Sequence, residues 1–200
     1  MEPAIISSVS GIFGVILGAG LVLYKDFILQ KANWDRKARY LTVRVVCILD
    51  QFAMDCLDVA YDDGLVDGNL VDEFVDGKLV GSRCIPQVKD PAIEYPDNVD
   101  WESINVNLTY KLLNIPSRLH RANRIISDTA EFDCCPYYEV TDERRYQYAC
   151  LGLHVIDIAE EMRRQFKIEK GNHLDHSLAD SLDKVKQEFE KNRKDRVPGQ

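Results

Sequence analysis

The stretch from Trp34 to Tyr61, WDRKARYLTVRVVCILDQFAMDCLDVAY, decides the fold. Trp34, Ala38, Leu41, Val45, Ile48, Phe52, Cys56 and Val59 recur every three or four residues, the period of one helical face, and Val46, Leu49, Ala53 and Leu57 widen that face into one that must be covered. Neither Gly nor Pro occurs from Leu21 to Asp63, so nothing local interrupts the helix. This segment is expected to be the spine of a mainly α-helical domain.

Towards the N-terminus, the twenty-two residues from Pro3 to Tyr24 carry no charge. At 1.5 Å per residue they form about 33 Å of helix against a hydrocarbon core of about 30 Å, which predicts a single transmembrane helix over 4–24 following an extracytoplasmic 1–3. Lys25, Lys31, Arg36, Lys37 and Arg39 follow the apolar run, and no base precedes it. This asymmetry predicts the N-terminus outside and the remaining chain cytoplasmic, at an inner membrane if the cell is bacterial. Span and spine read as one continuous helix from Ala4 to Tyr61, of order 85 Å long. Ser10, Gly14 and Gly18, at four-residue spacing, are a candidate helix–helix contact for a homodimer through the membrane helix.

Towards the C-terminus, Asp62-Asp63-Gly64 stops the spine. Residues 62–99 read as an insertion. Phe74 to Val80, centred on Asp76-Gly77, predicts a β-hairpin because Asp-Gly suits a tight type I′ turn, and Pro86, Pro91 and Pro96 predict an extended connection after it. Over 100–170 a helical bundle is expected. Asp100 reads as the N-cap of a helix reaching Asn114, Pro116 opens the next helix, and a long central helix runs from Val140 to Phe166 with apolar residues round most of its circumference. An amphipathic helix carrying Leu174, Leu178, Leu182, Val185 and Phe189 occupies 171–200 and ends in a frayed tail from Lys191. The expected fold class is mainly α: a transmembrane helix continuing into a cytoplasmic helical bundle with a small β-hairpin insertion.

The strings Arg39-Tyr40-Leu41-Thr42-Val43-Arg44-Val45-Val46-Cys47-Ile48-Leu49-Asp50, Asp62-Asp63-Gly64, Val99-Asp100-Trp101-Glu102-Ser103-Ile104 and Arg144-Arg145-Tyr146-Gln147-Tyr148-Ala149 resemble a group of small uncharacterised bacterial proteins, often prophage-associated, that begin with one membrane helix. The likeness covers residues 1 to 165. It implies a bacterial inner-membrane setting and brings no activity, cofactor or catalytic residue.

Acids outnumber bases by 33 to 25, which opposes nucleic-acid binding, since phosphate neutralisation needs a basic surplus. Between Val45 and Gly77 lie nine acids and no Lys or Arg. An EF-hand reading fails: with Gly68 at the loop glycine, Leu65 occupies a ligand position and Phe74 takes the place of the bidentate Glu. Asp50, Asp55, Asp58, Asp62 and Asp63 remain as a solvated face or an acidic docking surface for a protein partner. Six cysteines without a C-x-x-C pair predict reduced thiols. Cys134-Cys135 is the candidate for a cysteine-dependent enzyme, with His120 or His154 as activator, but Glu131 and Asp133 oppose a low thiol pKa. Cys150 and His154 share a helical face. His173, Asp175, His176 and Asp180 lack the ligands of a metal site. No cofactor and no catalytic set is expected. The reading that follows is a membrane-tethered, non-enzymatic interaction or adaptor protein; a cysteine enzyme and a phage lysis-type envelope protein of reversed topology are the alternatives.

Overall fold

The computed structural model describes the backbone of residues 2–75, 78–97, 99–131, 137–169 and 176–196, and the side chains of these residues except 2–17, 73–75, 79–80, 137–138, 176 and 195–196. Helix α1 spans Glu2–Tyr61 without a break. Its 60 residues amount to about 90 Å. A hairpin follows, β1 (Val71–Val75) pairing antiparallel with β2 (Lys78–Arg83) across a two-residue connection at the expected Asp76-Gly77, which itself lies outside the described residues. Glu73 faces Gly81 while Phe74 faces Leu79, so Val80 is the extra residue of a β-bulge.

The helix expected to start at Asp100 begins later. Trp101–Ser103 forms a single 3-10 turn, Asp100 makes no side-chain cap, and Ile104 is extended and buried. Asn105 is the working N-cap, accepting from the Asn107 N–H at 2.8 Å, and opens α2 (Val106–Leu113). Asn114 joins α2 to α3 (Ile115–Glu131), with Pro116 in the first turn as its missing N–H allows. The bundle closes with α4 (Tyr137–Phe166) and α5 (His176–Arg196).

α4 is the centre, as its broad apolar circumference predicts. One side, through Tyr148, Leu151, Val155, Ile158 and Met162, joins Val45, Leu49, Phe52, Cys56 and Val59 of α1 in the main core with Leu108, Leu112 and Ile115. Another side packs Ala149 against Leu182, Val185 and Phe189 of α5 and Ala60 of α1. The three helices meet at Gly152, where a methyl group would lie 2.9 Å from Leu182 Cδ1 and 3.1 Å from Cys56 Cβ.

The lengths of α1 and α4 decide where the core begins. Thirty residues of α4 make about 45 Å, half the length of α1. One face of α1 is buried from Ala38 onward, whereas every residue from Gly18 to Lys37 is exposed. Trp34, expected on the buried stripe, is 49% exposed, in the stretch of α1 that precedes the first buried side chain at Ala38.

The expected membrane span requires correction. Among the described residues no helix is long and apolar enough to cross a membrane. The apolar part of α1 whose side chains are described is Gly18 to Tyr24, about 10 Å of helix, before Lys25 and Asp26 interrupt it. The transmembrane helix over 4–24, integral single-span partnering, the inner-membrane location with its N-out topology and cytoplasmic bundle, and the homodimer through a membrane helix therefore lose their support. Ser10 and Gly14 lie outside the residues with described side chains, and Gly18 has no neighbour within 4 Å of its would-be Cβ.

Candidate functional site

Polar chemistry inside the bundle gathers in two places. The first is a buried ion-pair network that ties the 62–90 insertion to α4. Tyr61 ends α1, and the next carboxylate, Asp62, turns inward with a side chain only 2% exposed. Its Oδ1 accepts from the Gly64 N–H at 3.0 Å, and its Oδ2 accepts from the Gln87 and Val88 N–H groups, both at 2.9 Å, and from Arg144 Nη1 at 3.0 Å. Arg144 also donates to Asp90 and to the Val88 carbonyl. Burial opposes the charged carboxylate, but the hydrogen bonds from Val88, Gly64, Arg144 and Gln87 outweigh it and hold Asp62 below its ordinary value. Gly64 completes the turn at φ +70°, its would-be Cβ 2.8 Å from Cys84 Cβ. The network fixes the 62–90 segment against α4.

The acidic set splits accordingly. Asp62 is internal, and Asp50 pairs with Arg163 of α4. Asp55 is half-buried and accepts from Gln51 at 2.8 Å; Asp63 accepts from the Leu65 N–H at 2.9 Å in an exposed turn, and Asp58 is exposed. The five therefore do not form one open acidic surface, because two of them answer arginines of α4 that lie 82 and 113 residues along the chain.

The second place is a groove of about 560 Å³ between α3 and α4. Asn114, Arg118, Arg121 and Ile125 step along one wall, and Tyr146, Cys150 and His154 step by four along the other, with Ala122 and Leu151 at the base. Cys150 shares a hydrogen bond with Tyr146 rather than with His154, and burial pushes its thiol up. His154 moves the opposite way: burial first and then the Arg118 charge pull the imidazole below its ordinary value, Asp157 opposes them, and Lys111 adds a smaller pull downward. A thiol held protonated beside a neutral imidazole is not an activated nucleophile. Cys134 and Cys135 lie outside the described residues. Cys56 is buried in the core, where burial and then Asp55 raise its thiol. Cys47, Cys56, Cys84 and Cys150 are free thiols. Among the described residues no three His, Cys, Asp or Glu side chains come together around a metal-sized space; His173, Asp175 and the His176 side chain lie outside them.

Sequence reasoning noted the common face of Cys150 and His154 but not the opposite wall. The signal was present in Asn114, Arg118, Arg121 and Ile125, which share the same helical period. No family model, curated protein or solved structure matches the chain, so its function is read from its own surfaces.

Proposed function

We propose that this chain is a non-enzymatic interaction protein, an adaptor whose bundle presents the free half of α1 to a partner protein. One observation carries the reading. From Gly18 to Lys37, α1 is exposed all round, and Leu21, Val22, Leu23, Tyr24, Phe27 and Leu29 each leave half or more of their surface uncovered. Burying such a side chain is worth about 1.5–3 kcal/mol, and contiguous exposed apolar surface on this scale marks an interaction site. Docking of a partner's apolar helix face along this arm would recover that free energy. α2 adds a smaller apolar stripe, Val106, Tyr110 and Leu113, also uncovered.

The test places a photo-crosslinking amino acid at Phe27 of the full chain in cells, with the same probe at exposed Lys184 of α5 as the reference. A discrete protein adduct formed from position 27 and absent from position 184 is the expected result. Adducts to lipid alone, or equal labelling from both positions, would overturn the protein-partner reading.

A further inference from the structure

Along the seams of this bundle arginine repeatedly meets carboxylate, but one groove departs from that pattern. Arg144 meets Asp62 and Asp90, Arg163 meets Asp50, and Arg193 meets Glu143. In the α3/α4 groove, Arg118 and Arg121 face the space without an ion-pair partner among the described residues, and no Asp or Glu lines it. The nearby acids are engaged or turned away: Glu161 holds Lys111 at 2.6 Å, Glu143 holds Arg193 and Gln147, Glu190 lies beside Lys186 and the Tyr146 hydroxyl, and Asp157 is exposed one turn past His154. In a chain of net charge −8, this is an inverted local balance.

We propose that the α3/α4 groove binds a small organic phosphate, its phosphoryl group held by Arg118 and Arg121 and its ring-sized apolar body packed on Ala122, Ile125 and Leu151. The two guanidinium groups are one turn apart on the same face and unpaired, which suits the double charge and the several acceptor oxygens of a phosphomonoester better than the single charge of a carboxylate. The volume of about 560 Å³ falls among small-ligand sites, roughly 300–1,000 Å³. Apolar residues at the base and polar groups at the walls give the site two ends. Gln147 donates its amide N–H to Glu143 at 2.7 Å, which leaves its carbonyl oxygen to accept from a hydroxyl or amine on the ligand body. The groove is built by α4, α3 and the Asn114 joint that precedes α3, none of them in the α1 arm, and the inference stands whether or not that arm has a partner.

Titration of the full chain with phenyl phosphate, inorganic phosphate and benzoate, followed by NMR, tests this. Phenyl phosphate is expected to bind saturably and more tightly than either of the others. Arg118→Gln and Arg121→Gln should each weaken it by about tenfold or more, the loss of a charge-assisted contact, whereas Arg124→Gln, on the same helix but paired with Asp128 at 3.9 Å, should not. Both groove arginines are exposed, so the variants keep the fold, which an unchanged melting curve verifies. A bound dianion favours the imidazolium, so the His154 titration should move upward on binding, with His154→Gln identifying the resonance. Three results would each overturn the proposal: no saturable binding of phenyl phosphate, equal affinity for phenyl and inorganic phosphate (an adventitious ion only), or binding that survives loss of both arginines.

Discussion

Replacing Asp62 with Ala removes the acceptor of four hydrogen bonds from a site where the side chain is 2% exposed. Three backbone N–H groups lose their partner, and Arg144, 7% exposed, keeps only the Val88 carbonyl and Asp90. Asp90 is 54% exposed and compensates little, since solvent screens such pairs to about 1 kcal/mol or less. Breaking a buried pair by removing one member costs about 3–5 kcal/mol, so Asp62→Ala should lower stability by about 3–4 kcal/mol. With a urea slope of about 2–3 kcal/mol/M the midpoint should fall by about 1–2 M. Urea unfolding of the full chain, followed by circular dichroism with the slope held constant, reads this directly. Arg144→Met in the Asp62→Ala background should restore part of the loss, because the uncompensated charge goes with it. The pH dependence follows from the lowered carboxyl. A folded-state value below the unfolded one gives stability that is complete above the unfolded value, about 3.9, and is lost as pH falls through the folded value. The gap between wild type and Asp62→Ala should therefore be constant near neutrality and close in acid below about pH 4. A loss under about 1 kcal/mol, or additive effects of the two substitutions, would show that the network does not hold the 62–90 segment in place.

Three further outcomes are expected. Gly152→Val should destabilise by about 1–3 kcal/mol through overpacking, since even one methyl there meets Leu182 and Cys56; a melt within error of wild type would mean that the helices part at no cost. Alkylation read peptide by peptide should modify exposed Cys47 well before Cys56, which reacts only on global unfolding because burial removes access and pushes its thiol up; early labelling of Cys56 would refute the packing at α4. Phe27→Glu should leave the unfolding free energy of the bundle within about 0.5 kcal/mol of wild type, because the side chain is 65% exposed; a large loss would show that the arm is part of the bundle's own core.

What could be read from the sequence were the features written in local pattern. The 3.6-residue period and the absence of Gly and Pro made α1 continuous, Asp76-Gly77 located the hairpin, and the wide apolar circumference of Tyr148, Leu151, Leu153, Val155 and Ile158 made α4 central. Asp100 looked like a cap because Asp is a good one, but burying Ile104 requires an extended residue there, and Asn105 takes the role. Asp50 and Asp62 read as members of an acidic face because their arginines are distant in sequence. Nothing near residue 62 marks Arg144 as its partner.

The arm poses the same problem at larger scale. The apolar stripe of α1 begins at Trp34, one turn before the first buried side chain at Ala38. The boundary between core and arm follows the roughly 45 Å reach of α4, and the charged run Asp35, Arg36, Lys37 of α1 lies just outside it. An apolar face that is satisfied from Ala38 to Ala60 and left open from Gly18 to Lys37 is one pattern meeting two environments. Stability accounts for the first half, since its side chains fill the core with α4 and α5. It cannot account for the second, which adds nothing to the fold of the isolated chain and exposes apolar surface to water. The free half of α1 is thus where the requirements of folding end and where the proposed partner would add its own.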